Sequence, residues 1–181
     1  RALLEAQPGV RGLVAVLQYA RATGECSHFA IRSGANCLVV AKTSGAGIFQ
    51  FVEQMGNLRP AYCTALGKVL IAGLAPAQLE SYLQSLELRT FTARTIVDPE
   101  VLRSEIDRVK RDDIAIDDGE FDAEVRCVAV GVHDFTGAVA GAIGISGPVW
   151  RLSIQELQAK ALQVRAAGRA LSAELGFAGI P

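Results

Sequence analysis

The 181-residue sequence lacks the patterns that mark several large classes of protein. The cysteines form no C-x-x-C pair, which favours reduced thiols in a cytoplasmic protein over a disulfide framework or a structural zinc site; they are Cys26, Cys37, Cys63 and Cys127. No signal peptide is recognisable, and the longest apolar runs are too short to span a bilayer. There is no Walker loop, no G-x-G-x-x-G after a strand and no H-E-x-x-H. We therefore expect a cytoplasmic protein without a membrane partner, a cofactor or a bound metal.

The sequence also has little net charge and no basic stripe. Its 18 lysines and arginines nearly balance 19 aspartates and glutamates, for a net charge of −1. Such a chain is predicted to bind nucleic acid poorly by itself. Half of its residues are hydrophobic, which at this length predicts one domain with a substantial core. Because it starts at Arg1 rather than Met, we expect a fragment of a longer protein.

Residues 113–148 contain two strand-like runs, 125–133 and 138–146, around a predicted turn at 134–137. Alternation gives one β-branched, apolar face that should be covered by helices: Val128, Val130, Val132, Val139, Ile143 and Ile145. The other face has small residues with polar tips: Cys127, Ala129, Gly131, His133, Ala140, Ala142, Gly144 and Ser146. Closing the hairpin at 134–137 would place Cys127 opposite Gly144, with Ser146 diagonal to it. The small face either leaves room for a ligand or packs tightly against a helix.

A second informative stretch is the predicted helix over 64–74. Thr64 suits the N-cap, so the first-turn N–H groups of Ala65, Leu66 and Gly67 would lack intrahelical acceptors. These groups carry the positive end of the helix dipole and can bind a carboxylate. Gly67 inside a helix further indicates a close approach of the backbone to another group. Ordinary helix packing explains the same pattern.

The remaining pattern predicts an α+β domain. Further strands are expected over 26–33, 36–44, 48–55 and 112–118, and further helices over 10–24, 76–85, 98–111 and 153–176. Ser153 and Glu156 form a capping box before the last helix, whose apolar stripe could cover the sheet or pair with another subunit. A helix, three strands, helices, three strands and a closing helix favour a mostly antiparallel sheet covered by helices.

Five short motifs resemble the C-terminal effector-binding domain of IclR-type bacterial transcription regulators. They are Thr64-Ala65-Leu66-Gly67-Lys68, Arg94-Thr95-Ile96, Asp117-Asp118-Gly119-Glu120-Phe121, Val125-Arg126-Cys127-Val128-Ala129 and Ser146-Gly147-Pro148. The resemblance runs from about Gly9 to Gly176. It implies a GAF-like (profilin-like) sheet that holds a small-molecule effector in a domain over 9–181, preceded at 1–8 by the end of a linker helix. It also implies a homodimer or tetramer, and binding to operator DNA only through an N-terminal winged helix-turn-helix domain that this chain lacks.

The resemblance extends to a candidate effector site. Around Ala65, Leu66 and Gly67 it implies backbone donors, and it assigns polar pocket roles to Asp117, Cys127 and Ser146. Gly144 replaces the first serine of the family's S-x-S-G-P motif, and Ala65-Leu66 replaces the Gly-Ala of members that sense glyoxylate or pyruvate. Both departures favour a larger, partly apolar acid, for instance an aromatic carboxylate. Glu124 and Gly131 also depart from the family's usual Gly and Pro.

The residues by themselves are also compatible with other functions. A Cys-dependent enzyme would need Cys127 as nucleophile and His133 as base, but six residues along one strand separate them by about 20 Å at roughly 3.3 Å per residue, so no catalytic residue is predicted. A metal at Asp117 and Cys127 lacks an evident third ligand. We interpret His28 as a surface or satisfied core histidine rather than a ligand. A purely structural dimerisation module is the third alternative.

Overall fold

A computed structural model describes residues 23–45 and 56–179. The strands are β1 (Cys26–Ser33), β2 (Asn36–Thr43), β3 (Leu58–Pro60), β4 (Ala115–Asp118), β5 (Val125–His133) and β6 (Val139–Pro148). The helices are α1 (Ala65–Ala72), α2 (Pro76–Ser85), α3 (Pro99–Asp112) and α4 (Ile154–Glu174). The predicted linker at 1–8, most of the helix predicted over 10–24 and the strand predicted over 48–55 lie outside the described residues.

The six strands form one antiparallel sheet in the order β3-β2-β1-β6-β5-β4. The two halves of the chain meet in the middle, where β1 pairs with β6. With helices packed on this sheet, the fold is α+β, as the order of elements predicted.

One face of the sheet is covered by α4. Its buried stripe packs on the β-branched side chains of β5 and β6: Val128, Val130, Val132, Ile143 and Ile145. Ser153 and Glu156 make the predicted capping box, and Gly168 lets the helix approach closely, since a Cβ there would lie 2.6 Å from Val130 Cγ2. The α4 stripe therefore covers this chain's own sheet.

The opposite face is covered by α1, with α3 packed behind it. Leu102, Ile106 and Val109 of α3 are buried, as predicted, and Asp98 caps the helix by accepting hydrogen bonds from Glu100 N and Val101 N. In α1 the predicted close approach is confirmed: a Cβ on Gly67 would lie 2.2 Å from the Ala61 carbonyl oxygen. The close approach therefore holds α1 against the segment that precedes it, and α3 packs on α1.

The register of the central hairpin differs from the prediction by two residues. Cys127 pairs with Ser146 rather than Gly144, and Gly144 pairs with Ala129. The loop spans five residues, 134–138, in which Asp134 Oδ1 accepts hydrogen bonds from both Thr136 N and Ala138 N. A bulge adds the second residue of the shift, because His133 pairs with Val139 whereas Val132 pairs with Gly141. A shift of two residues preserves the faces.

Val139 is the exception to that preserved pattern. It precedes the bulge and packs on the α1 side of the sheet, against Gly73, and not on the α4 side as predicted.

Candidate functional site

A cavity of about 290 Å³ lies between the start of α1 and the small-residue face of the sheet. Six of the seven predicted site residues line it: Ala65, Leu66, Asp117, Cys127, Gly144 and Ser146. Gly67 does not line it, because this residue packs on Ala61 and its N–H donates to Thr64 Oγ1 at 3.3 Å. Of the three first-turn residues, Ala65 and Leu66 line the cavity.

The floor of the cavity is a row of polar side chains across three neighbouring strands. Asp117 of β4 pairs with Cys127 of β5, which pairs with Ser146 of β6. Directly paired residues share a face, so the three side chains lie side by side. Ser146 Oγ also lies 3.5 Å from Nδ1 of His28, which is only 2% exposed. His28 is therefore a core rather than a surface histidine, and it also lines the cavity.

Gly144 lines the cavity, but it does not simply make room for the larger acid that its departure from the family motif favoured. A Cβ at this position would lie 2.5 Å from the Val128 carbonyl oxygen and 3.0 Å from Ala129 Cβ. A side chain here would thus meet the adjacent strand instead of projecting into free space. The glycine permits the close approach of β5 and β6 over the cavity floor.

Asp117, the one carboxyl group in this row, has a strongly raised pKa. Its side chain is buried, with 3% of the residue exposed, and Oδ1 accepts a hydrogen bond from Glu120 N at 2.7 Å. Burial raises the pKa of Asp117 to about 7; the Glu120 charge adds to this, while the backbone hydrogen bonds and Lys68 oppose it. Near neutral pH this group can therefore accept or donate a hydrogen bond.

A buried lysine links the cavity to the rest of the fold. Lys68 Nζ donates to Glu120 Oε1 at 2.7 Å, to Glu105 Oε1 at 3.0 Å and to the Ile116 carbonyl at 2.6 Å. The lysine thereby joins α1 to α3, β4 and the segment after β4. Burial raises the pKa of Glu120, and the charge and hydrogen bond of Lys68 oppose that rise. Asp117 on the floor of the cavity and α1 beside it are thus held through one network.

The residues at the mouth of the cavity were not predicted from the sequence. Arg59 of β3 lines it, with its guanidinium carbon 4.7 Å from the centre of the Phe121 ring, and Phe91 packs on the same ring at 5.0 Å between centroids. A three-residue strand gives no alternation to detect. The other unpredicted lining residues are His28, Cys37, Val39, Thr64, Asp122, Val125, Val128 and Ile145.

The Arg94-Thr95-Ile96 motif helps to hold this mouth in place. Thr95 Oγ1 accepts hydrogen bonds from Phe91 N at 3.0 Å and Thr92 N at 2.9 Å, and it donates to the Glu120 carbonyl at 2.7 Å. Thr92 Oγ1 donates to the Gly119 carbonyl at 2.6 Å. The connection between α2 and α3 is thereby fastened to the segment that carries Phe121.

The described part of the chain contains no group of three or more His, Cys, Asp or Glu side chains placed to hold a metal ion. His133, the base considered for Cys127, stacks on Phe177 with ring centroids 5.2 Å apart. None of the helices described in 23–45 and 56–179 combines the length and hydropathy needed to cross a membrane.

Comparison with known proteins agrees with this architecture. Residues 13–173 match the family model described as bacterial transcriptional regulator IclR C-terminal. The HTH-type transcriptional regulator XynR of Escherichia coli K12 is 33% identical over 160 residues, which cover 88% of this chain and 64% of XynR. The chain thus spans less than two thirds of that relative's length.

Solved structures show the same fold. The C-terminal domain of the E. coli regulator KdgR is 28% identical, with a TM-score of 0.83 over 94% of this chain and all of that domain. The Thermotoga maritima IclR structure superimposes with a TM-score of 0.88 over 97% of this chain and 71% of that one, at 24% identity. The chain belongs to the IclR family of bacterial transcriptional regulators, and it corresponds to their C-terminal domain.

Proposed function

We propose that this chain senses a small organic acid and thereby controls DNA binding by a separate N-terminal domain. The observation that carries the proposal is the cavity of about 290 Å³, which has a polar floor and opens beside the N-terminus of a helix. Ligand sites in proteins combine mostly apolar walls with a few placed polar groups, and this cavity has that character.

The walls favour an acid with an apolar body. Leu66, Val39, Phe121 and Val125 line the cavity around the polar floor. A two- or three-carbon oxo acid would leave this surface uncovered, whereas an aromatic ring buries it at roughly 25 cal/mol per Å². The proposed effector is therefore an aromatic carboxylate such as a hydroxybenzoate.

The polar groups suit the two ends of such a ligand. The Ala65 and Leu66 amides at the start of α1 can donate to the carboxylate, with the helix dipole adding to the attraction. A ring hydroxyl can reach the floor at Asp117, Cys127 and Ser146. Because ionised Asp117 would repel an anion, it either accepts from the hydroxyl or is protonated in the complex.

A thermal-shift and calorimetry panel of glyoxylate, pyruvate and hydroxybenzoates tests the proposal. A hydroxybenzoate at 100 times its Kd should raise the free energy of unfolding by about 2.7 kcal/mol. Leu66→Ala should weaken its binding, whereas Leu162→Ala, the same change on the exposed surface of α4, should not. Stabilisation by glyoxylate but by no aromatic acid would overturn the aromatic class, and no response to any acid would overturn acid sensing.

We also propose that the chain self-associates as a homodimer or tetramer, as its family membership supports. Because the α4 stripe is buried on the sheet, the contact must use another surface. Light scattering at high micromolar concentration should give at least twice the 19.1 kDa monomer mass. A strict monomer there would contradict self-association.

A further inference from the structure

We infer that Arg59 is the charged partner of the effector's carboxylate and selects acids over neutral analogues; this inference rests on the proposed function. Arg59 lies opposite Cys37 in the β2–β3 pair, and both residues line the cavity. Only four residues separate Pro60, the end of β3, from Ala65 at the start of α1. A connection this short keeps Arg59 near the start of α1, and both line the cavity.

The Phe121 ring contacts Arg59 at the cavity. The guanidinium carbon lies 4.7 Å from the ring centroid, within the range of a cation–π contact. A guanidinium has five N–H donors in a planar fork, and a carboxylate can accept two of them side by side. Phe91 packs on the same ring, and its backbone N–H is held by Thr95.

The acidic residues around the cavity would oppose the binding of an anion unless a cation lay nearby. Asp117 and Asp122 both line it, and Arg59 is the one lysine or arginine among the lining residues that the structure describes. Asp122 Oδ1 accepts a hydrogen bond from Glu124 N at 3.0 Å. An anion that enters beside two carboxyl groups is repelled by each of them that is ionised. The N-terminus of a helix carries the equivalent of only about half a positive elementary charge, which offsets that repulsion poorly. A full positive charge at the mouth offsets the repulsion.

The carboxylate is then bound between Arg59 and the amides of Ala65 and Leu66. The ring lies between Leu66 and Phe121, with its far substituent toward the floor at Asp117 and Ser146. A para-substituted ring places its two polar groups at opposite ends, which matches this separation of mouth and floor.

Calorimetry with 4-hydroxybenzoate and 4-hydroxybenzamide tests the assignment, because the two probes differ only in the charged group. Wild type should bind the acid at least tenfold more tightly than the amide. Arg59→Gln should weaken acid binding about ten- to a hundredfold and leave the amide within about threefold. Arg89→Gln is the control, since Arg89 is exposed and pairs with Glu87 on the surface.

The outcomes separate the inference from the function it rests on. If Arg59→Gln keeps the wild-type preference for the acid, Arg59 is part of the wall only and the inference is wrong. If wild type binds neither probe, the aromatic class and the role of Arg59 both fail. Should Arg59→Gln not fold, Arg59→Lys decides: a point charge cannot donate bidentately, so the preference should fall several-fold, and an unchanged preference refutes the assignment.

Discussion

At the scale of single residues, the buried carboxyl of Asp117 makes stability depend on pH. Its pKa of about 7 lies above the value of an unfolded aspartate, about 3.9, so the folded state binds this proton more tightly. Its contribution to the free energy of unfolding is full below pH 4 and is lost as the pH rises through 7. Asp117→Asn removes the titration while Oδ1 can still accept from Glu120 N.

Relative to wild type, Asp117→Asn should gain about 2–3 kcal/mol between pH 5 and pH 8. Urea denaturation at each pH measures the difference. Asp134→Asn is the control: hydrogen bonds from Thr136 lower the pKa of Asp134, so that group stays ionised throughout and its difference should stay flat. A flat curve for Asp117→Asn would show that burial does not perturb this group.

Gly144 gives a second prediction, based on the approach of two strands. Gly144→Ser puts a Cβ 2.5 Å from the Val128 carbonyl, and forcing β5 and β6 apart should lower the free energy of unfolding by about 1–3 kcal/mol. Ala140→Ser, at an exposed position in the same strand, should change it by less than about 0.5 kcal/mol. Equal effects of the two substitutions in urea denaturation would contradict the crowding argument.

The sequence predicts some of these residues and not others. Asp117, Cys127 and Ser146 follow from strand alternation and from the quoted motifs, and all three line the cavity. Arg59 belongs to none of those motifs, and Phe121 ends one without being assigned to the cavity, because their contact joins two segments far apart in the sequence. That contact exists only once the fold places them together.

At the scale of secondary-structure elements, Lys68 joins α1 to α3 and to the segment after β4. Lys68→Met would leave Glu105 and Glu120 without their buried partner, which should lower the free energy of unfolding by about 3–5 kcal/mol. Lys110→Met, on the exposed side of α3, is the matched control. Adding Glu120→Gln to Lys68→Met should restore part of the loss in urea denaturation. A double variant no more stable than Lys68→Met would indicate that an uncompensated charge is not the cause.

Thr95 gives the corresponding prediction for the connection between α2 and α3. Thr95→Val conserves shape but leaves the Phe91 and Thr92 N–H groups without their hydroxyl acceptor, so it should cost about 1–3 kcal/mol. Thr90→Val, exposed in the same connection, should cost less than about 0.5 kcal/mol. Thermal denaturation compares the two, and equal midpoints would remove Thr95 from this role.

Elements with local signals were predicted well, and those fixed by distant contacts were not. Caps at Thr64, Asp98 and Ser153 mark helix starts that the structure confirms. The hairpin register was wrong because Asp134 organises a loop one residue longer than the four-residue turn assumed, and a bulge beside His133 adds a second residue. β3 was missed because three residues carry no periodicity.

At the scale of the whole molecule, the order of elements was sufficient to predict the α+β class but not the strand order. The pairing of β1 with β6 brings residues more than 100 positions apart together, and no local pattern specifies it. That pairing also builds the site, since it places His28 of β1 beside Ser146 of β6. The cavity is therefore a product of the global topology.

The final prediction is that this chain alone does not bind DNA specifically. Binding to phosphates requires lysine and arginine side chains in reach of the duplex. The net charge is −1, and in the described segments many basic side chains are paired with acids; these are Lys68, Arg89, Arg94, Arg103, Arg108, Arg126, Arg151 and Lys160. A gel shift at about 150 mM salt should show no sequence-specific retention of promoter DNA. A longer form that adds an N-terminal winged helix-turn-helix domain should retain the same fragment. Nanomolar retention by these 181 residues, competed only by the unlabelled promoter, would show that the chain itself reads DNA.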